Sequence, residues 1–523
     1  MRVTKTKPSR RTFVASGLAS GCALGILAAP AKGEMNEPTD EAKWVLGLAA
    51  VASLMVALDA LVLATALTEI GQAFNASIEG LEWTANAYIL NFAVLLITAA
   101  AMGDRFGRRR VFVAGISLFV MASAGCALAP SIGWLIAARA VQGTGAAMIM
   151  PLALALVSAA FPPERRGWAL GIYSGVTALS TVLGPVAGGA ITQGLAWQWI
   201  FWLNVPIGLV TVALTLSRMR ESFGPRARVD TLGLSLVTGG ALGLVWGLVR
   251  ANQVGWGSPE IVLSFAFGTG LAVAFVTWEQ RCTELAWEGR CAEPMMPMHL
   301  FRLRAFAAGN AAMFLLNAAL MGALFFMAQF LEVTLGQDAL AAGLRLLPWG
   351  VTIALVAPKA GALADRFGER AVVVAGLMVQ ALGLAWLALI AQSCLAYAAM
   401  VAPMIAAGAG FAISVPVVQK TVMSAVTPRD MGKASGALSM IRQLGGAFGI
   451  AIAVAAFVHV GGHATAQAFS HGFRAANAVA AVFSLAGAIA GMWLPARFVI
   501  ALPKPTSALI PRTSARAANT WGR

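Results

Sequence analysis

The run Asp104-Arg105-Phe106-Gly107-Arg108-Arg109-Arg110-Val111, followed by Val113-Ala114-Gly115, returns 261 residues later. The second copy reads Asp365-Arg366-Phe367-Gly368-Glu369-Arg370-Ala371-Val372, followed by Val374-Ala375-Gly376. Self-similarity at such a distance points to a duplicated half, a common construction among membrane transporters. Each copy is a short polar interruption between long apolar stretches. Working outward from them marks fourteen stretches, the first seven at 44–67, 83–103, 111–129, 133–159, 168–190, 200–217 and 230–249. The other seven are 260–279, 305–331, 341–363, 371–391, 396–418, 433–457 and 474–497. Crossing a bilayer as a helix takes about 20 mostly apolar residues, and the helix satisfies its own backbone polar groups in lipid. The expected fold is therefore an all-α polytopic membrane protein of two six-helix bundles, spans 1–6 and 9–14, with two extra central helices. Both copies of the repeat then follow the second helix of their bundle. The expected organisation is an N-terminal extension (1–43), a first bundle (44–217), a linker holding the two extra spans (218–304), a second bundle (305–497) and a tail (498–523).

Composition agrees. Apolar residues make up 59% of the 523 and charged ones 11%, against about 25% charged in soluble domains. So little polar surface excludes a water-soluble enzyme of this length. The net charge of +15 raises nucleic acid as a partner, and the placement of the charges removes it. Leaving out the first 34 residues, 24 Lys/Arg fall in one set of alternate loops and at the tail, and 3 (Arg250, Arg345, Arg474) in the other set. By the positive-inside rule the rich side is cytoplasmic, with both termini on it. Ser9-Arg10-Arg11-Thr12-Phe13 resembles a twin-arginine export signal, with Ala29-Pro30-Ala31 as a cleavage site. Cleavage there would invert every helix against the charge asymmetry, so Met35 is the expected natural start. Five cysteines form no metal-type pair. Cys282 and Cys291, in the echoed runs Trp278-Glu279-Gln280-Arg281-Cys282 and Trp287-Glu288-Gly289-Arg290-Cys291, are expected as free thiols in a cytoplasmic loop.

Several further motifs stand in register with the span count. They are Leu58-Asp59-Ala60-Leu61 through Leu67 in span one, and Arg139-Ala140-Val141-Gln142-Gly143-Thr144-Gly145 in span four. Gly184-Pro185-Val186-Ala187-Gly188-Gly189 lies in span five, and Trp199-Ile200-Phe201 with Asn204-Val205-Pro206-Ile207-Gly208 in span six. Gly361-Ala362-Leu363-Ala364-Asp365-Arg366-Phe367-Gly368 precedes span eleven, and Arg442-Gln443-Leu444-Gly445-Gly446-Ala447 lies in span thirteen. On these residues the chain, over about 44–497, resembles the major facilitator superfamily, in particular the fourteen-span drug:proton antiporters of the EmrB/QacA type. It departs from their pattern at Ala100, where the first loop copy usually begins with Gly, at Ala64, where Asn is usual, and at Ser180, where Gly is usual.

Asp59 is the acid that the span map leaves well inside the membrane, where a charge costs about 2.5–3.5 kcal/mol on insertion scales and marks function by default. It can alternate between protonated and ionised states and, ionised, attract a cation; the plain alternative is a carboxylate held permanently by its neighbours. Arg139 needs a partner in the bundle interior, and the resemblance implies a part in proton transfer beside a structural bond to carbonyls. Asp104, Arg105, Gly107 and Arg108, with Gly361, Asp365, Arg366 and Gly368, are implied to latch a cytoplasmic gate, against the reading that they fix orientation alone. Gly184 and Pro185 invite a kink, while Gly188 and Gly189 allow close helix contact; the resemblance links this element to exporters. Asn86, Asn91, Asn310, Asn317 and Arg442 are candidate cavity lining. His459, His463 and His471, expected in an external loop, are poorly spaced for a metal.

The resulting expectation is a plasma-membrane secondary transporter that exports small hydrophobic or cationic compounds, multidrug or antibiotic, in exchange for protons. It would work by alternating access between two bundles. No P-loop is present, so an ion gradient is expected to supply the energy; the resemblance implies that the ion is the proton and that no cofactor is needed. Expected partners are a small-molecule substrate and membrane lipid, with a monomer as the working unit and room for an export-adaptor protein. An importer or facilitator of one metabolite on the same fold is the alternative. A membrane-embedded sensor or enzyme is a second, although no nucleophile–base pair is visible.

Overall fold

Helices begin where the sequence supplies a cap. Ser77, Ser131, Asp338 and Thr465 each accept a hydrogen bond from the backbone N–H three residues on, satisfying donors that a helix start leaves free. The computed structural model describes residues 39–223, 230–286, 298–392, 395–426, 431–462 and 465–495. The twin-arginine-like run, Met35, the tail from 496, and with them Cys291 and His463, lie outside the described residues.

The first half comprises α1 (Asp40–Phe74), α2 (Ile78–Phe106), α3 (Arg108–Ala127), α4 (Ile132–Ala160), α5 (Pro163–Ala178), α6 (Ser180–Gly194), α7 (Trp199–Trp202) and α8 (Asn204–Arg218). Next come α9 (Thr231–Val254) and α10 (Pro259–Ala286), which pack against each other. The second half comprises α11 (Arg304–Gln329), extended by a π-helical turn at Phe330–Thr334, α12 (Ala339–Arg345), α13 (Leu347–Phe367), α14 (Glu369–Ile390), α15 (Tyr397–Ser424), α16 (Met431–Val460) and α17 (Ala466–Gly491). Thirteen of the described stretches are long and apolar enough to cross a membrane, and α2, bent by 51° between Leu96 and Thr98, makes a fourteenth. Three spans are breaks in series: α5 with α6, α7 with α8, and α12 with α13.

Most helices outrun the apolar stretches that announce them, because capped ends carry polar residues into the helix. Asp59 is consequently not the lone acid within a span. Glu69 lies in α1, Glu82 in α2 and Glu332 in the π turn, and Glu82 is fully buried. The last span starts earlier than its apolar run suggests, so Arg474 is not a loop residue. It lies within α17 and donates to the Ala388 carbonyl at 3.1 Å. His471 is also within α17, and His459 ends α16. Trp278–Cys282 belongs to α10 rather than a loop, with the Trp278 indole donating to Asp230 at 2.9 Å. Cys282 is disulfide-bonded, contrary to the free thiol expected; an odd cysteine total does not forbid one pair.

Burial divides the molecule by depth. At the end carrying Gly107 and Gly368, here the basic end, there are two separate cores. One contains residues from Ala42 to Met219 alone; the other draws on the second half together with Val237 and Phe275 of the inserted pair. At the far end a single core joins the halves: Val62–Ile70 of α1 with Ala319–Ala328 of α11, Trp349, and Ile450–Phe457 of α16. The inserted α9 packs on both α2 and α16, so it crosses the boundary between the halves.

Candidate functional site

The centre of the first half is a polar knot closed by apolar walls. Asp59, on α1, and Arg139, on α4, are both almost completely buried. Arg139 Nη1 donates to Asp59 Oδ2 at 2.5 Å and to Gln142 Oε1 at 2.7 Å, while its Nε donates to the Thr84 carbonyl at 3.3 Å. The other carboxylate oxygen, Asp59 Oδ1, accepts from Gln142 Nε2 at 2.8 Å and from Asn204 Nδ2 at 2.9 Å. Ser123 on α3 receives both amides in turn, at 3.3 and 3.0 Å, and donates to the Phe201 carbonyl at 2.9 Å. The guanidinium lies 4.2 Å from the Tyr88 ring centre and 5.8 Å from that of Phe201, a favourable placement for a cation over an aromatic face.

An ionised carboxylate only accepts hydrogen bonds, and here every group that reaches Asp59 is a donor. Asp59 and Arg139 are thus within ion-pair distance. Burying an ion pair costs several kcal/mol per ion in desolvation, recovered only when geometry and extra hydrogen bonds are good. Asp59 receives them from α4 and α8, while the Thr84 carbonyl of α2 accepts from Arg139.

The two named residues of this site, Asp59 and Arg139, are thus brought together. Gln142, Asn204 and Ser123 had no assigned role, although Gln142 and Asn204 stand in motifs already singled out. Their signal was chemical: amides and a hydroxyl at apolar depth need partners.

The repeated loops keep their likeness in space. Gly107 and Gly368 both take positive φ, 108° and 88°, a conformation that suits glycine. Arg105 lies over Phe106 and Arg366 over Phe367, each at 5.2 Å. Their acids, however, bind within their own halves. Asp104 pairs with Arg108 at 2.8 Å, and Asp365 with Lys420 of α15 at 2.5 Å. Glu221, which sequence reading overlooked, accepts from the backbone N–H of Arg109 at 2.8 Å and Arg110 at 3.3 Å. It caps α3 where the helix dipole favours an anion. A Cβ on Gly361 would meet nothing within 4 Å.

The span-five motif lies at the boundary between the halves. The helix is interrupted only at Leu179, which keeps helical backbone angles, and it runs on through Pro185. A Cβ on Gly184 would press on Leu61, and one on Gly188 on Thr65 and Val62 of α1. One on Gly189 would collide with the Ala339 carbonyl of the other half, and one on Gly343 with the Pro185 carbonyl. Glycine lets the two backbones touch, and that contact closes the far end.

The asparagines do not line open space in the way expected. Asn86 is buried and donates to Glu82 at 3.4 Å, and Asn310 is buried and donates to Phe306 one helical turn back. Asn91, half-buried, likewise donates to Ala87. Asn317 is buried and spends its amide on the Arg442 carbonyl at 2.7 Å. A buried amide takes the nearest acceptor, and within a helix that is the carbonyl four residues earlier. Arg442 is half-buried. Among the described residues, no group of three or more His, Cys, Asp or Glu stands together as metal ligands would.

A model of the Major Facilitator Superfamily matches residues 49–281 and 306–519. The chain is 35% identical over 400 residues to the multidrug resistance protein Stp of Mycobacterium tuberculosis (strain CDC 1551 / Oshkosh), covering 76% of this chain and 72% of that one. It is 33% identical over 463 residues to the cephamycin export protein CmcT of Amycolatopsis lactamdurans, covering 88% and 93%. Among solved structures it resembles a D-xylose-proton symporter (TM-score 0.62, 15% identity, covering 87% of this chain and 98% of that one). It also resembles a bacterial homologue of the lysosomal transporter Spinster (TM-score 0.63, 17% identity, 88% and 100%). At such identities the structural likeness concerns the fold.

Proposed function

The chain belongs to the major facilitator superfamily, and we propose that within it the protein exports small amphipathic compounds from the cell in exchange for protons. Relatives named for drug resistance and antibiotic export support the direction and the substrate class. The observation that carries the coupling is the buried Asp59–Arg139 pair. A proton delivered to Asp59 cancels its charge and leaves Arg139 without a counter-ion at low dielectric. That loss is on the scale of several kcal/mol, enough to change which arrangement of the halves is preferred. Arginine keeps its own proton throughout, so Asp59 is the carrier and Arg139 the group that reports its state.

Placing the basic end in the cytoplasm follows the positive-inside rule and sets the protein in the plasma membrane with its separated cores toward the cytoplasm. The far-end seam, closed through Gly189 and Gly343, is then the external gate. The loops around Asp104 and Asp365 form the cytoplasmic gate in its released state, since each acid is paired within its own half. The working unit is a monomer, the energy source is the proton gradient, and no catalytic step is assigned. Import on the same fold is the competing reading, and the symporter among its structural neighbours shows why fold alone does not choose.

Inverted membrane vesicles offered a panel of amphipathic dyes in the outer medium decide between them. Wild-type protein is expected to accumulate dye in vesicles with an acid interior, to stop on addition of a protonophore, and to lose this activity in Asp59→Asn. Protonophore-insensitive movement, or an unimpaired Asp59→Asn variant, would overturn the reading.

A further inference from the structure

Among the described residues, two arginines, Arg139 and Arg442, lie at mid-depth, and they are treated differently. Arg139 gives its donors to Asp59, Gln142 and the Thr84 carbonyl and stacks on Tyr88. Arg442 is half-buried, yet among the described residues no carboxylate pairs with its guanidinium and no carbonyl or side chain accepts from it. Its own backbone carbonyl is taken by Asn317, which fixes the local geometry and leaves the guanidinium free. Snorkelling does not explain it. Arg442 lies eleven residues into α16 from the basic end, or roughly 16 Å along the axis, beyond the reach of its side chain.

Its depth is informative. Met440 belongs to the second half's own core and Ile450 to the core shared by both halves, so Arg442 stands where the seam between halves begins to open. Asp59 occupies the corresponding level of the first half, between Val56 of its own core and Val62 of the shared one. The carboxylate at that level is consumed by Arg139, whereas the guanidinium is unspent. Beside Arg442, Gly445 lets α16 approach the backbone of Phe314, and the half-buried rings of Phe314 and Phe448 meet at 5.8 Å.

We propose that Arg442 is the charge-reading residue of the substrate cavity and that the compounds moved are amphipathic anions, with a carboxylate, sulfonate or phenolate beside an apolar body. The inference rests on the export reading for its direction, not for its charge preference. A permanent cation at apolar depth without a partner is costly, and a ligand anion supplies what the protein does not. The Phe314–Phe448 pair offers the adjoining apolar surface. A cationic compound meets the opposite situation: Asp59 is sealed and Arg442 repels it.

The test is equilibrium binding to the purified full chain in nanodiscs, with no proton gradient. Three probes share one dansyl fluorophore: dansylglycine (a carboxylate), its neutral amide, and a trimethylammonium analogue. Wild-type protein is expected to bind the carboxylate about tenfold or more tighter than either of the others. Arg442→Gln should erase that preference, and Arg442→Lys, which keeps the charge, should retain most of it. The wild-type ranking needs no variant and so survives a misfolded Arg442→Gln. Equal binding of the three probes, preference for the cation, absence of carboxylate binding, or a preference undiminished in a folded Arg442→Gln would each overturn the proposal. Anion-selective binding without protonophore-sensitive transport would instead leave it standing and sink the exporter reading.

Discussion

At the scale of the residue, the pairing of Asp59 with Arg139 makes predictions about stability as well as transport. Removing one partner of a buried ion pair leaves an uncompensated charge and costs about 3–5 kcal/mol. Asp59→Asn and Arg139→Gln are each expected to lower the melting temperature of the detergent-solubilised protein. The double variant should melt above either single one while transporting nothing; a double variant that melts below both would show that the pair is not the coupled unit drawn here. Asn204→Ala removes a donor to a charged acceptor, worth about 1.5–3 kcal/mol. It should therefore shift the external pH at which dye efflux is half-maximal without abolishing efflux, and an unchanged pH profile would remove Asn204 from the coupling network. Gly107→Ala meets two obstacles, a positive φ and the Glu221 carboxyl 2.7 Å from the new Cβ. The backbone conformation alone costs roughly 1–3 kcal/mol for a residue with a side chain, so the melting temperature should fall clearly, and further than in a Glu221→Ala background, where the carboxyl is gone.

Among elements, the one whose role depends most on contact is α6. Its glycines touch α1 on one side and α12 of the other half on the next, backbone against backbone. Gly189→Val would wedge the far-end seam apart. A cysteine placed at Ala342, buried in that seam, should then be labelled by an impermeant maleimide several-fold faster than in the parent. An unchanged rate would mean that the seam does not rely on this contact. Leu179, between α5 and α6, keeps helical backbone angles, and Pro185 sits inside α6, where its missing donor frees the carbonyl of residue 181 rather than setting that boundary. The bend in α2 has no proline to account for it, and none of its described contacts supplies a cause.

For the whole molecule, the separation into two cores at one end and one core at the other describes a state closed at the far end. Alternating access requires the shared core to part, so locking it should stop the cycle. Gly343 has no room for a cysteine, since its Cβ would meet the Pro185 carbonyl, so the lock is placed on its neighbour Ala342. Val186→Cys with Ala342→Cys is expected to be joined by a short bis-methanethiosulfonate reagent and to lose efflux, with reductant restoring it. Full efflux by the cross-linked protein would exclude motion at this seam. The inserted α9 lies across the boundary between halves, with Arg250 bridging Glu79 at 3.6 Å and Glu260 at 3.1 Å. It is placed to follow that motion rather than stand outside it.

What the sequence determined is what depends on local order: the number of spans, their two-fold repetition, the asymmetry of charge between loops, and the glycines at 107 and 368 that turn the chain. These follow from hydropathy and backbone sterics, which act on neighbours along the chain. Asp59 was legible as a buried acid, and Arg139 as a cation in need of something, but not as each other's partner. That pairing brings residues 80 apart to 2.5 Å, and it recruits Gln142, Asn204 and Ser123, whose types say only that they need hydrogen bonds. The same limit hid Glu221 and misplaced the asparagines, because a linear reading does not show which acceptor is nearest. Tertiary structure alone decided that the carboxylate at mid-depth is spent and the guanidinium of Arg442 is not. The physical reason is that desolvation is a property of position in space, and the cost of a buried charge is set by whichever groups packing brings within a few ångströms of it.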